Sequence, residues 1–281
     1  MLARMLQLLG QTKLIGKIQC EMQRNGKMET SAYIALSRQS ALRRELDVVA
    51  HNLANMNTTA FKASRMMFVE HVVKSEGGES FIPTKLSFAR DVAQYYDTSE
   101  GPIKTTGNKL DLALRNDGYF AVGPNEGNGA RAPDGAAEMY TRNGRFSISP
   151  DGELVTQGGF TVLSDAGTPI FFAPGDTEIS VSADGVVSTN NGTLAKMRVV
   201  RFEDQQALKR QAGGLFTSEN PPEDVDRPKV IQGALESSNI NPIIELTKMI
   251  EVQRAYDSVR SFIDREDQRQ KKMIQQAAPN R

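Results

Sequence analysis

The sequence predicts an α+β chain, mainly β at its centre, in which an antiparallel β domain is flanked by N- and C-terminal coiled-coil-like helices. Three observations carry that expectation. Apolar residues near both ends recur at alternating intervals of four and three, the spacing of a helical seam. The middle is punctuated by Asn-Gly, Asp-Gly and Gly-Gly pairs between short alternating apolar runs, the pattern of strands joined by tight turns. A proline- and turn-rich stretch, "GGLFTSENPPEDVDRP", separates that middle from the last helix.

In chain order, residues 1–27 are an extension, with Arg4, Lys13, Lys17, Arg24 and Lys27 against Glu21 alone. Its apolar run is broken by Gln7, Gln11 and Lys13 and lacks a small-residue cleavage site, so a secretory signal is not expected. Gln19 before Cys20 does not suit a lipid-modified cysteine. Met28 opens the patterned "METSAYIALSRQ" and is an alternative start of translation. Residues 28–65 are expected to form the N-terminal helix and its stop, on the seam Leu42, Leu46, Val49, Leu53 and Met56. Such a helix needs a partner for its apolar stripe. Residues 66–104 are expected as an extended or irregular connection, with "KSEGGES" at an exposed tip.

Residues 105–203 are the expected β domain. Turns are placed at Asn116-Asp117-Gly118, Asn143-Gly144, Asp151-Gly152, Gly158-Gly159, Asp184-Gly185 and Asn191-Gly192. "GPNEGNGARAPDG" is expected as a hairpin tip. Residues 204–230 are the expected linker. In 231–281, Asn241-Pro242 supplies an N-cap and a first-turn proline. The seam Met249, Val252, Tyr256, Val259 and Ile263 then runs toward a stop at Ala277-Ala278-Pro279.

Composition narrows the function classes. The chain has 281 residues, with 34 basic residues against 34 acidic. That balance gives no field for nucleic acid or a membrane surface, and no apolar run approaches the length of a spanning helix. A single cysteine excludes an intrachain disulfide and a multi-thiol zinc site. The two histidines, His51 and His71, have no local partners for a metal or a catalytic triad. Most candidate aspartates precede glycine in turns. Asp111 is the exception, either a polar strand residue or a buried acid capping a backbone turn, and it has no second acid to pair with. No phosphate cradle is present, because the glycines of 123–135 lack a following Lys-Ser/Thr and helix. No catalytic, cofactor-binding or metal-binding residue is expected.

Two motifs carry a resemblance. Leu46-Asp47, Val49-Ala50, Asn52-Leu53-Ala54-Asn55, Asn57-Thr58 and Phe61-Lys62 resemble the N-terminal signature of bacterial flagellar rod and hook proteins. Gln232-Gly233, Leu235-Glu236, Ser238-Asn239, Asn241-Pro242, Glu245-Leu246, Met249-Ile250 and Gln253-Arg254-Ala255-Tyr256 resemble the C-terminal one. The likeness spans about 30–263. Length and the wording "GPIKTTGNKLDLAL" look most like proximal rod members, with distal rod members as the alternative. Ala60 departs from the family's usual glycine, so Asn57 is the candidate for the left-handed residue that stops the helix.

The resemblance implies a non-enzymatic subunit of the flagellar basal body, exported through the flagellar type III apparatus without a cleaved signal peptide. Such a subunit stacks helically in the periplasm with other copies of itself and other rod proteins, with no cofactor, nucleic acid or membrane insertion. Leu46, Val49, Asn52, Leu53, Asn55, Leu246, Met249, Gln253 and Tyr256 are the expected assembly residues. Asn52 and Asn55 are placed off the intramolecular seam, where their amides would set register between subunits. The rivals are a secreted β-rich hydrolase, which needs a cleft with paired acids, and a monomeric binding module, which needs ordered terminal helices. With ends ordered only by assembly, trypsin would leave a core near 100–230.

Overall fold

A computed structural model of the chain describes residues 32–74, 85–125 and 138–277. The extension 1–27, the tip after Lys74, most of the glycine-rich stretch 123–135 and the last four residues lie outside the described residues. Helix α1 covers 32–54. Its buried and half-buried line runs through Ala35, Leu42, Glu45, Val49 and Asn52. Asn52 is therefore in line with the seam and not beside it. Strands β1 (Ser64–Lys74) and β2 (Lys85–Tyr96) form a two-stranded sheet where an extended or irregular connection was expected.

The chain then enters its β region. β3 (Ile103–Thr105) and β4 (Leu112–Arg115) pair with strands far ahead in sequence. β5 (Tyr119–Gly123) is central, followed by β6 (Met139–Thr141), β7 (Phe146–Ile148), β8 (Leu154–Thr156) and β9 (Thr161–Val162). β10 (Ser180–Val181), β11 (Val186–Thr189) and β12 (Gly192–Lys196) make a separate meander. β13 (Val199–Arg201) returns to the side of β5. β14 (Lys209–Arg210), β15 (Leu215–Thr217) and β16 (Glu223–Asp224) follow, then β17 (Lys229–Gln232) and β18 (Ala234–Glu236). The main sheet runs β14-β15-β6-β5-β9-β8-β7, with β13 and β16 beside β5. The pairings among β3–β18 are antiparallel, so the expected β class is what the chain adopts.

Four of the expected turns join paired strands. Gly152 (φ 88°), Gly159 (φ 82°), Gly185 (φ 81°) and Gly192 (φ 127°) take backbone that an L side chain resists. Two do not. β4 pairs β17 and not β5, so 116–118 is a crossing between sheets. Gly144 serves close approach: a Cβ there would lie 1.7 Å from the Leu112 carbonyl oxygen. Asp111 is the buried-acid alternative, accepting from the Asn108 side-chain amide at 3.1 Å over the turn that Asp111 N–H closes to Asn108 O.

The central strands are buried on both faces. Along β5, Phe120 and Val122 enter one apolar core with Leu112, Met139, Val162 and Leu215, while Tyr119 and Ala121 enter another with Tyr140, Val200, Phe202 and Phe216. The period of two thus feeds two cores from one strand. Each large side chain removed from water contributes about 1.5–3 kcal/mol before entropy is counted. Leu208, Leu215 and Phe216 belong to these cores, and β15 pairs β6. The 204–230 stretch expected as a linker is therefore part of the sheet. Its prolines and glycines turn the chain between short strands that are individually too brief to show alternation.

Two compact units result. One gathers described residues up to Ala50, Met66–Gln94 and those from Leu246 onward; the other gathers His51–Arg65 and Tyr95–Glu245. Helix α2 (Pro242–Ala277) starts in the second unit and continues in the first. Asn241 caps it, its side-chain oxygen accepting from Ile243 N at 3.1 Å and Ile244 N at 3.4 Å. Along α2 the positions Met249, Val252, Tyr256, Val259 and Ile263 are buried or half-buried. Within the first unit, Glu45 of α1 pairs with Lys248 of α2 at 3.1 Å.

Candidate functional site

Inside the second unit, the end of α1 and the segment leading into α2 meet at a buried polar joint. The sequence motifs at 52–65 and 232–245, far apart along the chain, are its two halves. Two carboxylates supply one half: Glu236 at the end of β18, 2% exposed, and Glu245 in the first turn of α2, 1% exposed. An acidic residue in a first helical turn faces the positive end of the helix dipole.

Glu236 accepts from Lys62 Nζ at 2.7 Å, Arg142 Nε at 2.5 Å and Gly101 N at 2.9 Å. One carboxylate thus ties the strap after α1, the segment before β3, the end of β6 and β18. Burial pushes the Glu236 carboxyl up, but the Arg142 and Lys62 charges outweigh it and hold it below the ordinary carboxylate range. Burial pulls the Lys62 ammonium below its usual value, against the opposing pull of Glu236. Lys62 also donates to Ser99 O at 2.7 Å. Arg142 donates from Nη1 to Gly118 O at 3.0 Å, and its Nη2 lies 3.6 Å from Glu100.

Glu245 accepts from Arg65 Nη1 at 2.8 Å and Asn52 Nδ2 at 3.3 Å. The Asn52 amide also grips Ser64 at both backbone groups, donating to its carbonyl and accepting from its N–H, each at 2.9 Å. Asn239 repeats the device: its oxygen accepts from Ala63 N at 2.8 Å and its amide donates to Asp97 O at 2.9 Å. Arg210 closes the outer side, its guanidinium over Phe61 (4.6 Å), Tyr96 (4.4 Å) and Phe216 (5.9 Å) while Nη2 donates to Lys62 O. Contacts of this kind contribute about 0.5–2 kcal/mol each.

The cluster of asparagines at the end of α1 now divides by role. Asn52 is buried at 1% exposure with its amide engaged inside the chain, which differs from the expected role between subunits. The physical reason is chain geometry. The strap turns back after α1, so Ser64 reaches the face that Asn52 presents. Asn55 finishes the helix, donating to His51 O at 2.9 Å and accepting from Thr58 Oγ1 at 3.1 Å. The left-handed stop falls on Ala60 itself, at φ 56°, and not on Asn57. Its N–H donates to Glu236 O at 2.8 Å, and that bond holds the conformation. His51 is exposed and lies against the Phe61 ring, 5.5 Å between centroids.

Of the other expected assembly residues, Val49 is buried, Leu46, Leu53, Met249 and Tyr256 are half-buried, and Leu246 and Gln253 are exposed. Leu246, 50% exposed, shares the start of α2 with exposed Ile244 and Ile250. The joint's ion partners Lys62, Arg65, Arg142, Glu236 and Glu245 were not singled out from sequence. Lys62, Glu236 and Glu245 stood in the quoted motifs, but their ion pairing requires contacts 174 and 180 positions apart.

Among the described residues no group of three or more His, Cys, Asp or Glu is placed to hold a metal, and no helix is long and apolar enough to cross a membrane. An open cavity of about 330 Å³ is lined by Asp117, Arg201, Asp224 and Asp226. Its carboxylates are exposed, and Asp224 is bound by Arg198 at 2.8 Å.

Comparison with known proteins places these features in a family. The description "Flagella basal body rod protein" matches residues 33–62, "Flagellar hook protein FlgE/F/G D1 domain" matches 113–189, and "Flagellar basal body rod FlgEFG protein C-terminal" matches 231–276. The flagellar basal-body rod protein FlgF of Caulobacter vibrioides is 38% identical over 240 residues, covering 84% of this chain and 93% of the relative. FlgF of Rhizobium meliloti is 34% identical over 239 residues, covering 84% and 92%. A FlgG rod protein from Buchnera aphidicola subsp. Baizongia pistaciae is 30% identical over 270 residues, covering 88% and 99%.

Proposed function

We propose a role in the proximal rod, from the premise that the chain belongs to the FlgF-like flagellar basal-body rod proteins and is a structural subunit of that rod. The higher identity to FlgF relatives than to FlgG relatives supports the proximal position over the distal one. The subunit stacks with copies of itself and other rod proteins through its helical ends, and torque passes along those contacts. It performs no catalysis. The flagellar type III apparatus delivers it to the periplasm without cleavage of a signal peptide.

The observation that carries the assembly reading is the pair Leu246 and Ile250, exposed one turn apart on the same face of α2. Apolar residues exposed together on one element mark a surface that is covered in use. Leu46, Val49, Leu53, Met249 and Tyr256 form the supporting seam, and Gln253 and Asn55 flank it.

The test is genetic. The gene is deleted in its source organism, swimming is scored and isolated basal bodies are imaged. Complementation uses residues 1–281, 28–281, and a full chain carrying Leu246→Glu with Ile250→Glu. Truncated or absent rods restored by the first two and not by the third are expected. Intact rotating flagella in the deletion would overturn the rod role, and full rescue by the double variant would overturn the proposed face.

A further inference from the structure

The strap 51–65 is bound differently from the module it lies on. Neither apolar core takes a side chain from it. Its only fully buried apolar residues are Ala60 and Ala63, which offer little area. What holds it is polar: the ion pairs of Lys62 and Arg65, the Asn52 amide on Glu245, the bonds of Ala60 N to Glu236 O and Ala63 N to Asn239, and the stacking of Arg210 on Phe61, while the Asn52 grip on Ser64 ties the strap's own two ends together. It also carries the left-handed Ala60, a conformation that favours release.

The charge arrangement makes this binding mutual. The strap brings Lys62, Arg65 and the Asn52 amide to two carboxylates that belong to 236–245. Without the strap, Glu245 loses its cation and its amide donor, and Glu236 loses one of its two cations. A carboxylate left buried without its partner is strongly disfavoured. Without 236–245, Lys62 loses the carboxylate it bonds and keeps only the more distant charge of Glu100. Each half thus completes the charge pairing of the other.

We propose that the strap 51–65 is a charge-gated clasp, able to open as a unit while the β cores stay folded, and closing only on a module whose 236–245 segment is in place. The chain thereby checks that both of its ends have arrived before its N-terminal helix is anchored. Local opening of this kind is expected where apolar contacts are few and hydrogen bonds carry the attachment.

The test is amide hydrogen exchange of the intact chain in increasing, sub-denaturing urea. The strap amides bonded across to the module, Ala60 and Ala63, should exchange together through an opening less costly than that of Ala121, Leu163 and Phe146 in the sheets. Glu245→Ala should speed strap exchange about a hundredfold and leave the sheet amides unchanged. Arg65→Met, at a part-exposed position, should act in the same direction to a smaller degree. Should Glu245→Ala not fold, the wild-type urea series decides alone. A single common opening for strap and sheet amides would overturn the proposal, as would strap protection that Glu245→Ala and Arg65→Met leave untouched.

Discussion

Asn52→Leu tests whether the most buried amide of α1 works inside the subunit or between subunits. Leucine keeps the branching of asparagine and helix propensity, with bulkier methyls in place of the amide, so the change removes hydrogen bonds while keeping the side chain's outline. It deprives Ser64 of a donor to its carbonyl and an acceptor for its N–H, and takes one donor from Glu245, which keeps Arg65. Each buried backbone group left unpaired costs about 1–3 kcal/mol. Two such groups give about 2–6 kcal/mol, and the added apolar burial returns part of it, about 1–2 kcal/mol. The net is about 3 kcal/mol, which is about a hundredfold in an opening equilibrium. The assay is exchange of the Ser64 amide in the isolated chain, read beside Ala121 as an internal standard. Asn52→Asp keeps the acceptor for Ser64 N–H but faces Glu245 with a second carboxylate, and should fall between wild type and Asn52→Leu. Unchanged Ser64 protection in Asn52→Leu, together with failure to rebuild rods in cells, would refute the internal role and return the amide to the subunit interface.

Gly144→Ala should lower stability by about 3 kcal/mol in thermal melts, because a Cβ placed 1.7 Å from Leu112 O must push the backbone away and break the Leu112 N to Gly144 O bond. Gly175→Ala, with nothing within 4 Å, should melt like wild type. Acid should open the strap. Glu236 is held below its ordinary value of 4.5, so its contribution is present above that value and is lost as pH falls through the lowered one. Lys62→Met should move that transition to higher pH, followed by strap exchange, and an unmoved transition would contradict the pairing. Alkali acts elsewhere. Burial pushes Tyr119 up from 10.0 to about 12, so its contribution is present below 10 and lost as pH rises through 12. A spectrophotometric titration should show a late tyrosine that Tyr119→Phe removes.

Much of the fold was legible because periodicity is a local property. The alternating run at β5 and the turns at Gly152, Gly159, Gly185 and Gly192 could be read in windows of a few residues. The 204–230 stretch was misread as a linker for the same reason, since β14, β15 and β16 are two or three residues long and acquire meaning only from partners such as β6 and β13. The joint was half legible. The motif Asn52-Leu53-Ala54-Asn55 announced itself, yet which amide faces inward depends on Ser64 coming back over α1, a tertiary event. Glu236 and Glu245 stood in the C-terminal motif, but nothing local gave them a role, because a carboxylate in a strand end or a first helical turn is ordinary until its cations arrive from elsewhere in the chain. The resistant core expected near 100–230 should accordingly be redrawn. The compact unit that contains it takes in His51–Arg65 and runs from Tyr95 to Glu245.

Glu236 touches the strap twice: its carbonyl takes the Ala60 N–H, and its carboxylate takes the Lys62 ammonium. A single residue therefore gauges the spacing between two points on an incoming segment, as a key is read by two pins in one barrel. One residue inserted or deleted between Ala60 and Lys62 would satisfy one pin and miss the other, whatever amino acid it was. Length, and not only composition, is under constraint at that spot. An equivalent insertion beside Gly175, where a side chain meets open space, carries no such demand.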